Sequence, residues 1–177
     1  MHLLFVCTGN ICRSPTAERL AAAYAAEARI PDFVASSAGT RAVIGHPIHS
    51  DAAVVVQELG GTVSNFAARQ LTAEIISGAD LVVTMTKAHR DAVLERAPRK
   101  LHKTFTLTEA ARLVTDCNAA TIDDLSALRP QLAAHQVPDI VDPIGRSPEV
   151  FSRVGSQIAE LLPPMLRLCG SSEFPNR

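Results

Sequence analysis

The stretch Val6-Cys7-Thr8-Gly9-Asn10-Ile11-Cys12-Arg13-Ser14 decides how this chain is read. It follows the apolar run Leu3-Leu4-Phe5-Val6, which predicts a buried strand over about residues 2–6. After it come Pro15 and an alanine-rich segment, with Leu20, Ala23 and Tyr24 at helical spacing. Ser14 reads as the cap of that helix and Pro15 as its first turn. The pattern is therefore strand, Cys-x5-Arg-Ser loop, helix.

A phosphate monoester is a dianion at neutral pH, and its site needs many donors and no competing carboxylate. Thr8, Gly9, Asn10, Ile11, Cys12 and Arg13 offer successive backbone N–H groups on a curved loop, and the following helix adds its N-terminal partial charge. Arg13 supplies two parallel N–H bonds, a geometry lysine lacks. The same field favours a thiolate at Cys7 without a histidine partner. Ser14 is placed to donate its hydroxyl to that thiolate, and Asn10 to brace the loop from within. Such a thiolate attacks phosphorus in line, forming a cysteinyl-phosphate that water then hydrolyses. A cysteine ending a strand is by itself more often a small buried hydrophobe. Its combination with Gly9, Arg13 and Ser14 in this context carries the functional reading. No Gly-x4-Gly-Lys-Ser/Thr pattern is present, so the loop is not a nucleotide-type P-loop.

Outward from the loop, Pro31-Asp32 ends the first helix and residues 33–38 predict a second strand. A helix over about 50–59 ends at Gly60-Gly61, whereas 63–67 is ambiguous. Thr72 caps a turn over Ile75 and Ile76, residues 80–85 form an apolar third strand, and Thr86 caps a helix to about Arg96. A fourth strand falls near 103–107, then a helix over 109–114. Residues 115–137 read as a helical excursion within one domain of residues 1–169. A last helix from Pro148 uses Phe151, Val154, Ile158, Leu161 and Leu162 and is expected to kink or end at Pro163-Pro164, with some further helix to Cys169; 170–177 reads as a flexible tail. This alternation predicts an α/β fold, a parallel sheet with helices on both faces and ligands beyond the carboxyl ends of the strands.

The 177 residues are 47% hydrophobic and 20% charged, with a formal net charge of −1. That suits one soluble domain and gives no basic field for nucleic acid. No apolar run is long enough to span a bilayer, so no membrane role is expected and the cytoplasm is the expected location. Cys7, Cys12, Cys117 and Cys169 lack the density of a disulfide framework, and the six histidines are scattered, so a structural zinc site is not expected; no cofactor is expected either.

The leaving oxygen needs a proton, and the donor must reach over the loop. Asp142, before Pro143 on a loop rich in proline and glycine, is one candidate; Asp139, Asp123 and Asp124 are others. Local sequence does not separate Asp139 from Asp142.

The segment Val6 to Pro15 closely resembles the signature of the low-molecular-weight protein tyrosine phosphatases. Ser37-Ala38-Gly39-Thr40 and Asp142-Pro143-Ile144-Gly145 fall where that family has similar segments. The resemblance implies a single-domain, four-stranded parallel sheet, no metal, Cys7 as nucleophile, Arg13 as phosphate ligand and Asp142 as acid/base. It favours Asp142 over Asp139. It also implies a phosphorylated protein as substrate, with phosphotyrosine as the residue acted on.

Ile144 and Gly145 stand where many members carry aromatics, and Val43 and Ile44 where another is common. With Tyr24 the single tyrosine and no tryptophan, the cleft walls are expected to be aliphatic. Protein-arginine phosphatases resemble the family but favour threonine at the position of Ile11, and a branched apolar residue there suits a phosphotyrosine ring better. Cys12 either merely fills the loop or traps oxidised Cys7 as a reversible disulfide, the second reading resembling what the family does, and Cys117 and Cys169 are expected to be passive. The rivals are an arginine phosphatase, a thioredoxin-coupled arsenate reductase and a catalytically quiet phosphoprotein-binding module. The reductase requires further cysteines after the third strand, and none lies between Thr84 and Pro98. Cys7, Arg13 and Asp142 together speak against the quiet module.

Overall fold

A computed structural model describes residues 1–133 and 137–170. The expected flexible tail, apart from Gly170, lies outside the described residues, as do residues 134–136 of the expected excursion. Four strands, β1 (His2–Cys7), β2 (Val34–Gly39), β3 (Leu81–Thr84) and β4 (Thr104–Thr106), form one parallel sheet in the order β2-β1-β3-β4. β1 is central, and successive side chains along it serve opposite faces. Leu3 and Phe5 join the larger core, whereas Leu4 and Val6 join the smaller one. Both faces are thus covered, which is why β1 carries no polar alternation.

The larger core lies under α1 (Arg13–Glu27), α5 (Leu107–Asp116) and α7 (Pro148–Arg167), with Leu20, Leu113, Ile158 and Leu162 packed against Phe5, Val83 and Phe105. On the other face, Ile76 of α3 (Ala73–Ser77) and Val93 of α4 (Lys87–Arg96) pack on Val6 and Val82. α2 (Ser50–Glu58) crosses α7 so closely that a Cβ on Gly155 would collide with Val55. α6 (Ile122–Leu128) follows α5, and a 3₁₀ turn covers Arg129–Gln131. The chain leaves β1 toward β2 and later crosses to β3, so the carboxyl end of β1 is a topological switch point.

Three local expectations differ. Ser14 does not cap α1, which starts at Arg13 without a side-chain cap; the Ser14 hydroxyl is held by Cys7 and Asn10 instead. α7 does not end at Pro163-Pro164, and the helix expected beyond them runs on within the same element to Arg167, because buried Leu162, Met165 and Leu166 anchor it on both sides of the pair. α5 starts at Leu107, directly after β4, where Thr106 and Glu109 form a capping box. Residues 63–67 form neither helix nor strand. Thr72 and Thr86 cap α3 and α4, accepting from the N–H groups of Ile75 and His89.

Candidate active site

The loop from Cys7 to Arg13 is shaped by where its carbonyls go. Those of Cys7, Thr8 and Gly9 accept from the N–H groups of Thr40, Arg41 and Val43, that of Ile11 from His49, and that of Cys12 from Thr16. In a planar trans peptide the N–H points opposite to its C=O. Turning these carbonyls outward therefore turns the amides of Thr8, Gly9, Asn10, Cys12 and Arg13 toward the inner face of the loop. Gly39 lies beneath, since a Cβ there would stand 2.5 Å from the Thr8 carbonyl oxygen.

Asn10 holds the loop from behind. It is fully buried with φ of 55°, a left-handed conformation that asparagine tolerates better than most residues. Its Oδ1 accepts from the Arg69 backbone N–H at 2.9 Å, which fixes the orientation of the amide. Nδ2 then donates to Ser14 Oγ at 3.0 Å and to Ser37 Oγ at 2.8 Å. Ser37 Oγ donates onward to Glu18 Oε2 at 2.5 Å. Ser14 Oγ accepts this hydrogen bond from Asn10, which leaves its own hydroxyl hydrogen for Cys7 Sγ, 3.0 Å away. A chain of defined polarity thus runs from the Glu18 carboxylate to the sulfur.

Arg13 is 4% exposed and spans from the loop to a distant segment. Nη1 donates to the Ile140 carbonyl at 3.0 Å and Nη2 to Asp142 Oδ2 at 2.6 Å, while the buried Nε finds no partner among the described residues. Ile140 is itself pinned to the end of β3 by its N–H bond to the Met85 carbonyl. Asp142 is half-exposed, and its Oδ1 accepts from the Ile144 N–H.

The other acidic candidates are employed elsewhere. Asp139 Oδ1 accepts from the Lys87 N–H at the start of α4, and Asp124 closes the capping box of α6. Asp123 lies with it in the first turn of that helix. Among the described residues Asp142 is the carboxylate that lines the cleft.

The cleft has a volume of about 240 Å³. Its floor is Cys7, Thr8, Gly9, Cys12 and Arg13; its walls are Ile11, Val43 and Ile144, with Arg41 and Asp142 at the sides. The walls are aliphatic, as the sequence predicts. Cys7 and Cys12 are both buried free thiols; burial, and then the neighbouring Cys7, push the Cys12 thiol well above its ordinary range. Cys117 and Cys169 line no part of the cleft, and burial raises Cys169 to about 12. Among the described residues no cluster of three His, Cys, Asp or Glu side chains suits a metal, and no helix is long and apolar enough to cross a membrane.

Three contributors had no signal in the sequence. His89, in the first turn of α4, joins Thr8 Oγ1 through Nε2 at 2.8 Å and Thr86 Oγ1 through Nδ1 at 2.9 Å. Burial, reinforced by the Arg13 charge, lowers its pKa to about 4, so it is neutral at pH 7. Glu18 and Arg69 were equally silent, because their roles depend on distant segments meeting behind the loop.

Fold and site define an α/β protein whose loop of inward-turned amides carries a cysteine at its base, at the switch point of a parallel sheet. The profile of the low molecular weight phosphotyrosine protein phosphatase family matches residues 2–124, and the chain belongs to that family. Its sequence is 40% identical over 103 residues to the probable low molecular weight protein-tyrosine-phosphatase AmsI of Erwinia amylovora, covering 58% of this chain and 68% of that protein. Its fold is similar to the low molecular weight protein tyrosine phosphatase of T. tengcongensis, with a TM-score of 0.75, 32% identity and coverage of 94% of this chain and 97% of that one. It is similar to the arginine phosphatase YwlE, in a Cys-to-Ser variant with a phosphorylated active-site serine, with a TM-score of 0.75, 27% identity and coverage of 93% of each. The family is one of hydrolases acting on phosphorylated proteins.

Proposed function

We propose that the chain removes phosphate from phosphotyrosine in proteins, with Cys7 as nucleophile, Arg13 as phosphate ligand and Asp142 as general acid and base. The observation that carries this reading is the hydrogen-bond chain that leaves the Ser14 proton for Cys7 Sγ. That hydroxyl, the inward amides and the helix N-terminus face the sulfur with donors and partial positive charge, the surroundings that a sulfur nucleophile and a phosphate dianion share.

In the first step the thiolate attacks phosphorus, the S–P bond forms and the P–O bond to the tyrosyl oxygen breaks. Asp142, protonated, gives that oxygen its proton. The phosphoryl oxygens lie on the amides of the loop and on Arg13. The Nε–H of Arg13 is available to one oxygen, and Nη2 turns from Asp142 to another, so phosphate binding frees the carboxyl group for proton transfer. In the second step the Asp142 carboxylate takes a proton from water, the water oxygen attacks phosphorus, the S–P bond breaks and the thiolate returns. The phosphorylated serine in the related YwlE variant supports a covalent intermediate at this position.

Ile11, Val43 and Ile144 support phosphotyrosine over phosphoarginine. A guanidinium brings several N–H donors that need acceptors, and these three walls offer aliphatic carbon. The Cys12 thiol supports reversible oxidation: a sulfenic acid on Cys7 condenses with it to a disulfide and water. Four free thiols suit a reducing compartment such as the cytoplasm.

The test is turnover of p-nitrophenyl phosphate with chelator present, followed by a comparison of phosphotyrosine, phosphoarginine and phosphoserine peptides. Cys7→Ser abolishes turnover and phosphotyrosine is the best peptide if the reading holds. Turnover that requires metal and survives Cys7→Ser contradicts the mechanism, and a preference for phosphoarginine contradicts the substrate.

A further inference from the structure

Seven large hydrophobic side chains are exposed among the described residues, and four of them, Val43, Ile44, Val141 and Ile144, sit on the two segments flanking the cleft. Scattered exposed aliphatics are ordinary, but this clustering around one opening is not.

The segment carrying Val43 and Ile44 is firmly held. Thr40, Arg41 and Val43 donate their N–H groups to Cys7, Thr8 and Gly9, so the rim is zipped to the phosphate loop nearly residue by residue. The Gln70 side chain ties it from the other side, accepting from the Ala42 N–H and donating to the Thr40 carbonyl. The backbone of Arg41 is thus fixed beside Thr8. Its side chain lines the cleft, is exposed, and makes no hydrogen bond or ion pair among the described residues. The nearby carboxylate does not neutralise it: in the free protein Asp142 is engaged by Arg13 through Oδ2 and by the Ile144 N–H through Oδ1, and with substrate bound it carries the proton meant for the leaving oxygen.

We propose that this rim is the docking surface for the phosphorylated segment of the substrate protein, and that Arg41 selects segments with an Asp or Glu beside the phosphorylated residue. The proposal rests on the phosphatase reading above. The aliphatic collar takes the apolar parts of an extended peptide, and the planar guanidinium takes the flanking carboxylate through two parallel N–H bonds. A flanking lysine meets an unneutralised cation at the same point and is disfavoured. The discrimination arises from a fixed backbone position rather than from a loop that must order on binding.

The experiment measures kcat/KM for phosphotyrosine peptides whose flanking residues are glutamate, alanine or lysine, with p-nitrophenyl phosphate in parallel. Wild type, Arg41→Ala, Arg41→Glu and Arg167→Glu are compared; Arg167 is exposed at the far end of α7. Wild type favours the glutamate peptide over the lysine peptide by roughly three- to tenfold, the scale of a partly exposed ion pair, mainly through KM and less so at high salt. Arg41→Ala collapses the preference, Arg41→Glu reverses it, and Arg167→Glu, with the same change in net charge, preserves it. If wild type hydrolyses p-nitrophenyl phosphate but does not discriminate the peptides, or if Arg41→Glu keeps the wild-type order, the docking proposal is overturned alone. If the folded wild type hydrolyses no substrate at all, the phosphatase reading fails and the docking proposal falls with it.

Discussion

The polarity of the chain behind Cys7 makes Asn10→Asp an informative substitution. Aspartate has the same size, tolerates the left-handed φ of 55° and still accepts from the Arg69 N–H. It cannot donate to Ser14 and Ser37, which Nδ2 of asparagine reaches at 3.0 and 2.8 Å. Ser14 must then give its proton to the new carboxylate, and Cys7 Sγ loses its donor. A hydrogen bond to a charged group contributes about 1.5–3 kcal/mol, which corresponds to roughly a 10- to 150-fold fall in kcat/KM. The new negative charge adds to the loss by opposing the thiolate. Turnover of p-nitrophenyl phosphate measures the effect, and urea denaturation verifies that the variant is folded. Because both act through one proton, Asn10→Asp and Ser14→Ala should combine to much less than the sum of their effects. A folded Asn10→Asp variant with wild-type kcat/KM would refute the reasoning.

Two further predictions concern groups near the loop. His89 has a folded pKa of about 4, below its ordinary 6.5, because burial and the Arg13 charge oppose protonation. The unfolded chain therefore binds the extra proton first as pH falls. The stability linked to His89 is fully present above pH 6.5 and is lost progressively toward pH 4, on the order of 2 kcal/mol after allowing for solvent screening. Urea midpoints across this range should fall less steeply for His89→Gln than for wild type; parallel curves would contradict a buried neutral histidine. Peroxide should inactivate wild type in a form that dithiothreitol restores, whereas Cys12→Ser should be lost irreversibly. Equal recovery of the two proteins would remove Cys12 as the trap.

The sheet and the loop were legible because both are local. Leu3 to Val6 is a continuous apolar run, and Cys7, Arg13 and Ser14 lie within one turn of chain between a strand and a helix. Two misreadings arose where tertiary contacts outweighed local preference. Ser14 has the chemistry of a cap, but a buried partner chain claimed its hydroxyl. Pro163-Pro164 has the chemistry of a stop, but Leu162 and Met165 in the core carry the helix past it. Asp139 and Asp142 could not be separated locally because each lies near a proline on the same segment. Asp139 turns to the start of α4 and Asp142 to Arg13, a difference produced by the anchoring of Ile140 to β3. His89 and Glu18 carry no sequence signal, since their meaning depends on what the fold brings against them.

The central claim is that phosphate passes through the sulfur of Cys7, and trapping that species tests it most directly. With p-nitrophenyl phosphate the leaving group needs little protonation, so Asp142→Ala slows the second step more than the first and the intermediate accumulates. Acid quenching of this variant during turnover, followed by peptide mass spectrometry, should find one phosphoryl group on the peptide containing Cys7, with none in the Cys7→Ala, Asp142→Ala double variant. An Asp142→Ala enzyme that turns over with a rapid first step and carries no phosphoryl group on Cys7 would contradict the account.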